Sequence, residues 1–160
     1  MNTIYLLLGS NIGDSKKMLL QAAKKIEKHI GTIARKSSMY KTAAWGNTLQ
    51  PDFLNQVLIV YSALEAKQTI QKILQIEKDM GRIRTIKNAP RIIDIDILFF
   101  NKEIIHTEEL TVPHIEIKNR RFVLVPLNEL SPHLKHPVLK SSIHQLLLYC
   151  PDKLEVKKNN

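Results

Sequence analysis

The order in which apolar segments follow one another limits the folds open to this chain more than any other feature. Residues 3–8, about 33–42, 53–61 and 92–100 are rich in β-branched and aromatic side chains and are predicted strands. From Asp14 or Ser15 onward, Met18, Ala22, Ile26 and Ile30 recur every four residues, as one helix face requires, and Gly31 stands where a cap belongs. A second helix is predicted between about residues 67 and 80, with Ile70, Ile73, Leu74 and Met80 on a common face and Gly81 after them. The order β-α-β-β-α-β is that of an α+β, ferredoxin-like fold: an antiparallel sheet with helices on one face. A short strand at 122–125 and a short helix from Ser141 or Ser142 are predicted C-terminal additions, and the tail from Lys153 is predicted to fray. Such a fold hosts many activities, so function must come from side chains.

The 160 residues fit one domain, 1–160, with no internal repeat or linker to divide it. The lone Cys150 excludes an internal disulfide and agrees with a reducing compartment. No apolar run approaches the ~20 residues of a membrane helix. The apolar N-terminal stretch has no basic residues before it and no cleavage site, so it is read as a strand and not a signal peptide. A cytoplasmic protein without a membrane partner is expected. A net charge of +9 invites an anionic partner, whether nucleic acid, an anionic membrane or a polyphosphate, and only position can choose among them.

Position points to residues 82–98. A strand alternates its faces, so Asp94 and Asp96 project from one side while Ile93, Ile95 and Ile97 point into the core. Two carboxylates so close repel each other and resist desolvation, and a divalent cation relieves both penalties. Oxygen ligands without His or Cys suit Mg²⁺ better than zinc. Asp-x-Asp alone is a common pattern, equally compatible with an exposed strand edge paired to Lys or Arg. Arg82, Arg84, Lys87 and Arg91 surround the pair, however, and guanidinium forks beside a metal site describe a polyphosphate bound with magnesium. No P-loop is present, since Gly9 to Lys16 has its glycines and lysine at the wrong spacing, and kinase signatures are absent. The six histidines show no zinc spacing; His114 stands apart, in Leu110-Thr111-Val112-Pro113-His114, though a lone histidine is more often structural.

These residues carry a resemblance. From Lys87 to Leu98 the sequence meets, at every position, the signature of the 6-hydroxymethyl-7,8-dihydropterin pyrophosphokinase family: a basic residue, any residue, Gly or Ala, Pro, Arg, two residues, Asp-aliphatic-Asp and two aliphatics. Further landmarks appear in order: Gly9-Ser10-Asn11, Tyr40-Lys41-Thr42, the run from Gln50 to Asn55, Glu77, Gly81-Arg82-Ile83-Arg84, Leu110 to His114, and Lys118 to Phe122. The resemblance covers nearly the whole chain. It implies transfer of pyrophosphate from ATP to the hydroxymethyl group of the reduced pterin, releasing AMP, in folate biosynthesis. Asp94 and Asp96 would hold two Mg²⁺ ions, and Arg82 and Arg91 would clamp the transferring group. Glu77, Arg84, Lys87, Ile97, Thr111, His114 and Arg120 would contact ATP. Thr42, Ala43, Ala44, Trp45, Phe53, Asn55 and Phe122 would form the pterin slot. Phe53 and Phe122 suit a flat heteroaromatic ring, and Asn55 its amino-pyrimidinone edge.

Three positions depart from the family pattern: Asn88 where Trp is frequent, Leu74 where a polar nucleotide contact is frequent, and Ala43-Ala44 where Pro-Pro is frequent. None is a proposed metal ligand. The expected chemistry is in-line attack by the hydroxymethyl oxygen on the β-phosphorus of ATP, with no general base singled out by the sequence. The expected enzyme is a monomer that binds no nucleic acid. A basic ferredoxin-like RNA-binding module is the alternative, but it calls for aromatic platforms in an RNP-type motif, which this sequence lacks.

Overall fold

A computed structural model of the chain describes residues 1–43, 49–83 and 90–159. Its centre is β1 (Asn2–Ser10), whose Ile4, Leu6 and Leu8 are fully buried. β1 pairs antiparallel with β4 (Phe53–Ser62) on one side and with β5 (Asp94–Phe100) on the other. The sheet runs β5-β1-β4-β3-β8, with β3 at Tyr40–Thr42 and β8 at Val156–Lys158, and β2 (Thr32–Lys36) pairs with β4 as well.

One face of the sheet carries α1 (Ser15–His29) and α2 (Ala66–Asp79). The Asp14 side chain accepts from Lys17 N at α1's start, and Glu65 with Gln68 forms a capping box on α2. Leu19, Ala22, Ile26, Ile73 and Ile76 pack there on Ile4, Leu6, Leu8, Leu58, Ile95 and Ile97. Each large apolar side chain so buried contributes about 1.5–3 kcal/mol. Gly31, just past α1, is required by close approach: a Cβ there would lie 2.1 Å from the carbonyl oxygen of Tyr61. The opposite face is covered by α3 (Arg121–Leu130) and α4 (Ile143–Leu148), which bury Val123, Leu124, Leu127 and Ile143 against Leu7, Val57, Leu98 and Phe99. A hairpin of β6 (Ile105–His106) and β7 (Thr111–Val112) leads to His114.

The βαββαβ order and the short helix capped by Ser142 agree with the sequence reading, and four details differ. The strand expected over 33–42 is two strands, β2 and β3, separated by Ser37, whose hydroxyl accepts from Val57 N at 2.9 Å and so replaces a ladder partner. The strand expected at 122–125 is helical. Its β-branched content is overridden because Val123, Leu124, Leu127 and Leu130 bury one helical stripe. Leu74 is 44% exposed, and Ile76 with Glu77 completes α2's inner face instead. The tail does not fray: β8 pairs with β3.

Candidate active site

β5 begins at Asp94 and is an edge strand of the sheet, so its outer backbone groups need partners from elsewhere. Glu77 on α2 supplies one. Its buried carboxylate accepts from Ile95 N (2.8 Å) and from Arg82 Nη1 (2.5 Å). Arg82 Nη1 also donates to Asp94 Oδ1 at 2.7 Å, and Arg91 Nη1 donates to Asp94 Oδ2 at 3.2 Å. Asp94 thus sits between two guanidiniums. Burial pulls the Arg82 guanidinium down, but the charges of Asp94 and Glu77 outweigh it, so this group ends above its ordinary value. Asp96 is two residues along on the same face. Burial, and then the like charges of Asp94 and Glu77, push its carboxyl up to about 8 against the opposing pull of Arg120 and Arg82. Asn11 fixes the backbone of Arg91 reciprocally, with Arg91 N donating to Asn11 Oδ1 (2.8 Å) and Asn11 N to Arg91 O (3.0 Å). Its amide also reaches Gln50 Oε1 and Pro51 O.

Beside this charged cluster a cavity of about 640 Å³ opens. Its neutral end is built by strand register. Gly9 on β1 pairs with Asn55 on β4, which in turn lies opposite Tyr40 on β3. A Cβ at residue 9 would stand 2.7 Å from Asn55 Oδ1, so glycine there makes room for that amide. Asn55 Nδ2 points to Thr42 Oγ1 at 3.5 Å, and both residues are buried. Phe53 and Phe122 line the same space, with Arg120 Cζ 5.8 Å from the Phe122 ring centroid. His114 N donates to Leu98 O, and the ring Nδ1 accepts from Glu116 N at 3.2 Å, which leaves Nε2 to carry the proton of the neutral ring. Burial, and then Arg120, hold this imidazole below its ordinary value.

The cavity brings together Arg82, Arg91, Asp94, Asp96, Thr42, Ala43, Phe53, Asn55, His114, Arg120 and Phe122. Three other expected residues are not in its lining. Glu77 sits behind it as the partner of Arg82 and Ile95, Ile97 is part of the core under α1 and α2, and Thr111 is exposed on β7. Ala44, Trp45, Arg84 and Lys87, like the departure Asn88, lie outside the described residues. Sequence reasoning missed Leu7, Ile115 and Glu116 in the lining, and also the role of Asn11. Asn11 was visible only as part of a family landmark, and the others carry no chemical signature.

The donor set bears on the metal. Among the described residues no three His, Cys, Asp or Glu side chains gather as a metal cage. Two like-charged carboxylates on one strand face fit Mg²⁺, which takes few protein ligands and keeps the rest as water and phosphate oxygens.

Residues 5–132 match the model of the family described as 7,8-dihydro-6-hydroxymethylpterin-pyrophosphokinase. The chain is 39% identical over 145 residues to the 2-amino-4-hydroxy-6-hydroxymethyldihydropteridine pyrophosphokinase of Aquifex aeolicus, covering 91% of this chain and 90% of that protein. It is 37% identical over 145 residues to the protein of the same name from Bacillus subtilis, covering 90% and 87%. A folic acid synthesis protein of Dictyostelium discoideum is 38% identical over 151 residues, which are 94% of this chain but 23% of that much longer protein. In fold, the chain resembles the crystal structure of Plasmodium falciparum HPPK-DHPS with pteroate, with a TM-score of 0.75 and 20% identity over 92% of this chain and 42% of that one.

Proposed function

The chain belongs to the 7,8-dihydro-6-hydroxymethylpterin-pyrophosphokinase family, and from that premise we propose how its own residues carry the reaction. It is a pyrophosphokinase of folate biosynthesis that transfers pyrophosphate from ATP to the hydroxymethyl group of 6-hydroxymethyl-7,8-dihydropterin and releases AMP. The observation that supports the residue assignment best is the shared cavity: an acid pair with two arginines at one end and a flat, neutral slot at the other.

The pterin lies between Phe53 and Phe122, its polar edge against Asn55 and Thr42, and its hydroxymethyl group turned toward Asp94 and Asp96. In the transfer, a bond forms between the hydroxymethyl oxygen and the β-phosphorus. The bond from that phosphorus to the α–β bridging oxygen breaks, its electron pair leaves with AMP, and the hydroxyl proton is released to water. Two Mg²⁺ ions, held by Asp94 and Asp96, would neutralise the phosphates and align the attack. Arg82 and Arg91, now on Asp94, turn to the transferring group when the carboxylates are otherwise engaged. Glu77 keeps its hold on Arg82, so that guanidinium remains at the site. His114 and Arg120 reach the remaining phosphate oxygens, His114 as a neutral Nε2–H donor. Rate comes from positioning and charge complementarity and asks no covalent work of the protein.

One domain spanning residues 1–160 performs this as a cytoplasmic monomer, and its positive charge serves the nucleotide and not a nucleic acid. No helix among the described residues is long and apolar enough to cross a membrane. The test is AMP release from Mg·ATP with and without the pterin. Release that requires 6-hydroxymethyl-7,8-dihydropterin is expected; pterin-independent hydrolysis, or no AMP, would overturn the reading.

A further inference from the structure

Asp152 is a buried carboxylate, 7% exposed, with no part in the phosphate site. Both its oxygens serve backbone N–H groups from different segments. Oδ2 accepts from Arg121 N at 3.0 Å, the first residue of α3, and Oδ1 accepts from Leu154 N at 2.9 Å, at the root of the tail. An acid at this helix start also faces the positive end of the helix dipole. The tail then runs to β8, which pairs Val156 with Thr42, Lys157 with Lys41 and Lys158 with Tyr40. Beyond β8, Asn159 N donates to Met39 O at 2.8 Å.

These contacts join the two walls of the slot. Residues at the start of α3 include Arg120 and Phe122, and β3 ends at Thr42. A strand of three residues held on one side alone belongs to the least stable parts of a sheet. β4 holds β3 on one side, β8 holds it on the other, and Glu129 of α3 fixes its entrance by accepting from Tyr40 OH (2.6 Å) and Ser38 N.

We propose that residues 152–159 form a brace that sets the width of the pterin slot, with Asp152 as its positioning residue. The inference rests on the reading of Thr42 and Phe122 as walls of that slot. It assigns the C-terminal segment to substrate selectivity, although no residue of it touches the cavity.

Lys157→Pro in the full chain tests this. Asn159 and Met39 form a hydrogen-bonded pair, so by antiparallel alternation Lys157 and Lys41 form the next. Proline removes that donor, while the exposed Lys157 side chain contributes little of its own, so Lys157→Ala is the control. With Mg·ATP saturating, Lys157→Pro should lower kcat/KM for the pterin by about ten- to a hundredfold, as misplaced substrate does. Affinity for a non-hydrolysable Mg·ATP analogue should stay at the wild-type level, and backbone amides of residues 40–42 should exchange faster. Lys157→Ala should match the wild type. A folded Lys157→Pro enzyme with undiminished pterin affinity, or with equal losses for pterin and nucleotide, overturns the brace. Should that variant not fold, Asp152→Asn decides, since it keeps one acceptor oxygen. It should weaken pterin binding several-fold, and wild-type affinity would overturn the proposal. A wild-type protein that binds no pterin would refute the functional reading itself, an outcome distinct from failure of the brace alone.

Discussion

The two ends of the cavity solve opposite problems. The phosphate end is crowded with charge that neutralises itself: Arg82 joins Glu77 to Asp94, and Arg91 closes on Asp94 from the other side. The pterin end is neutral, and its shape comes from register, with Gly9, Asn55 and Tyr40 aligned across three strands. A ligand entering the first end must replace partners that the charges already have. A ligand entering the second finds its groups fixed in advance and pays little to order them. Substitutions at the charged end should therefore act on kcat and on stability without ligand, and those at the neutral end on affinity for one substrate.

The largest effect is expected from the acid pair. Asp94→Asn or Asp96→Asn should lower kcat by roughly a thousandfold or more, since several kcal/mol of charge stabilisation is lost. Without metal the two should part. Asp96→Asn removes a carboxyl that the fold forces to keep its proton, at a cost the unfolded chain does not bear, and should raise Tm, whereas Asp94→Asn deprives Arg82 and Arg91 of their counter-ion and should lower it. Thermal melts in EDTA decide, and a parallel shift of both variants would break the distinction between the two carboxylates.

Next come the arginines. Arg82→Ala and Arg91→Ala should each cost about a hundred- to a thousandfold in kcat, with smaller changes in ATP affinity. Arg82→Ala should also destabilise the protein, by about 3 kcal/mol, because it removes the guanidinium that Glu77 and Asp94 share. Arg91 is more exposed and should cost less stability. Urea unfolding alongside steady-state kinetics separates the two roles.

Asn55→Ala should act on the other end alone. It leaves the polar edge of the pterin without its partner, so pterin KM should rise about ten- to a hundredfold while nucleotide affinity holds. Equal losses for both substrates would erase the contrast between the ends.

That contrast also explains what the sequence made legible. Residues 82–96 are nearly contiguous, and Arg82, Arg91, Asp94 and Asp96 announce their chemistry through charge and alternation. The neutral end draws one or two residues each from β1, β3, β4 and α3, and nothing in Phe53, Asn55 or Phe122 distinguishes a slot from a core until the register is known. Only the family resemblance named them in advance. The resemblance implies a nucleotide contact for Glu77, and its hold on the backbone of Ile95 leaves no trace in sequence. The tail misled for a related reason: a polar terminus from Lys153 onward suggests fraying, but β3 offers an open edge with which Val156, Lys157 and Lys158 pair. Propensity at 122–125 likewise yielded to packing on Phe99 and Leu98.

The smallest effect is expected at the seam between the ends, from His114. Its Nδ1 accepts from Glu116 N, and burial, and then Arg120, hold the ring below its ordinary value of 6.5; in the proposed reaction its Nε2–H would be offered to the nucleotide. His114→Gln retains an N–H donor and should keep more activity than His114→Ala, the gap being about fivefold for one hydrogen bond of about 1 kcal/mol. The same geometry fixes a sign in stability. An imidazole whose folded value is depressed contributes stability that is present above 6.5 and lost as pH falls, because the unfolded chain binds a proton that the fold refuses. His136, also held low by burial and then Lys118, contributes in the same direction. The difference between wild type and His114→Gln isolates the first residue: the wild type should lose more stability between pH 7 and pH 5, its unfolding midpoint in urea falling further. If the two fall in parallel, the folded protein holds the His114 imidazole no lower than the unfolded chain does, and burial beside Arg120 does not keep it from taking a proton.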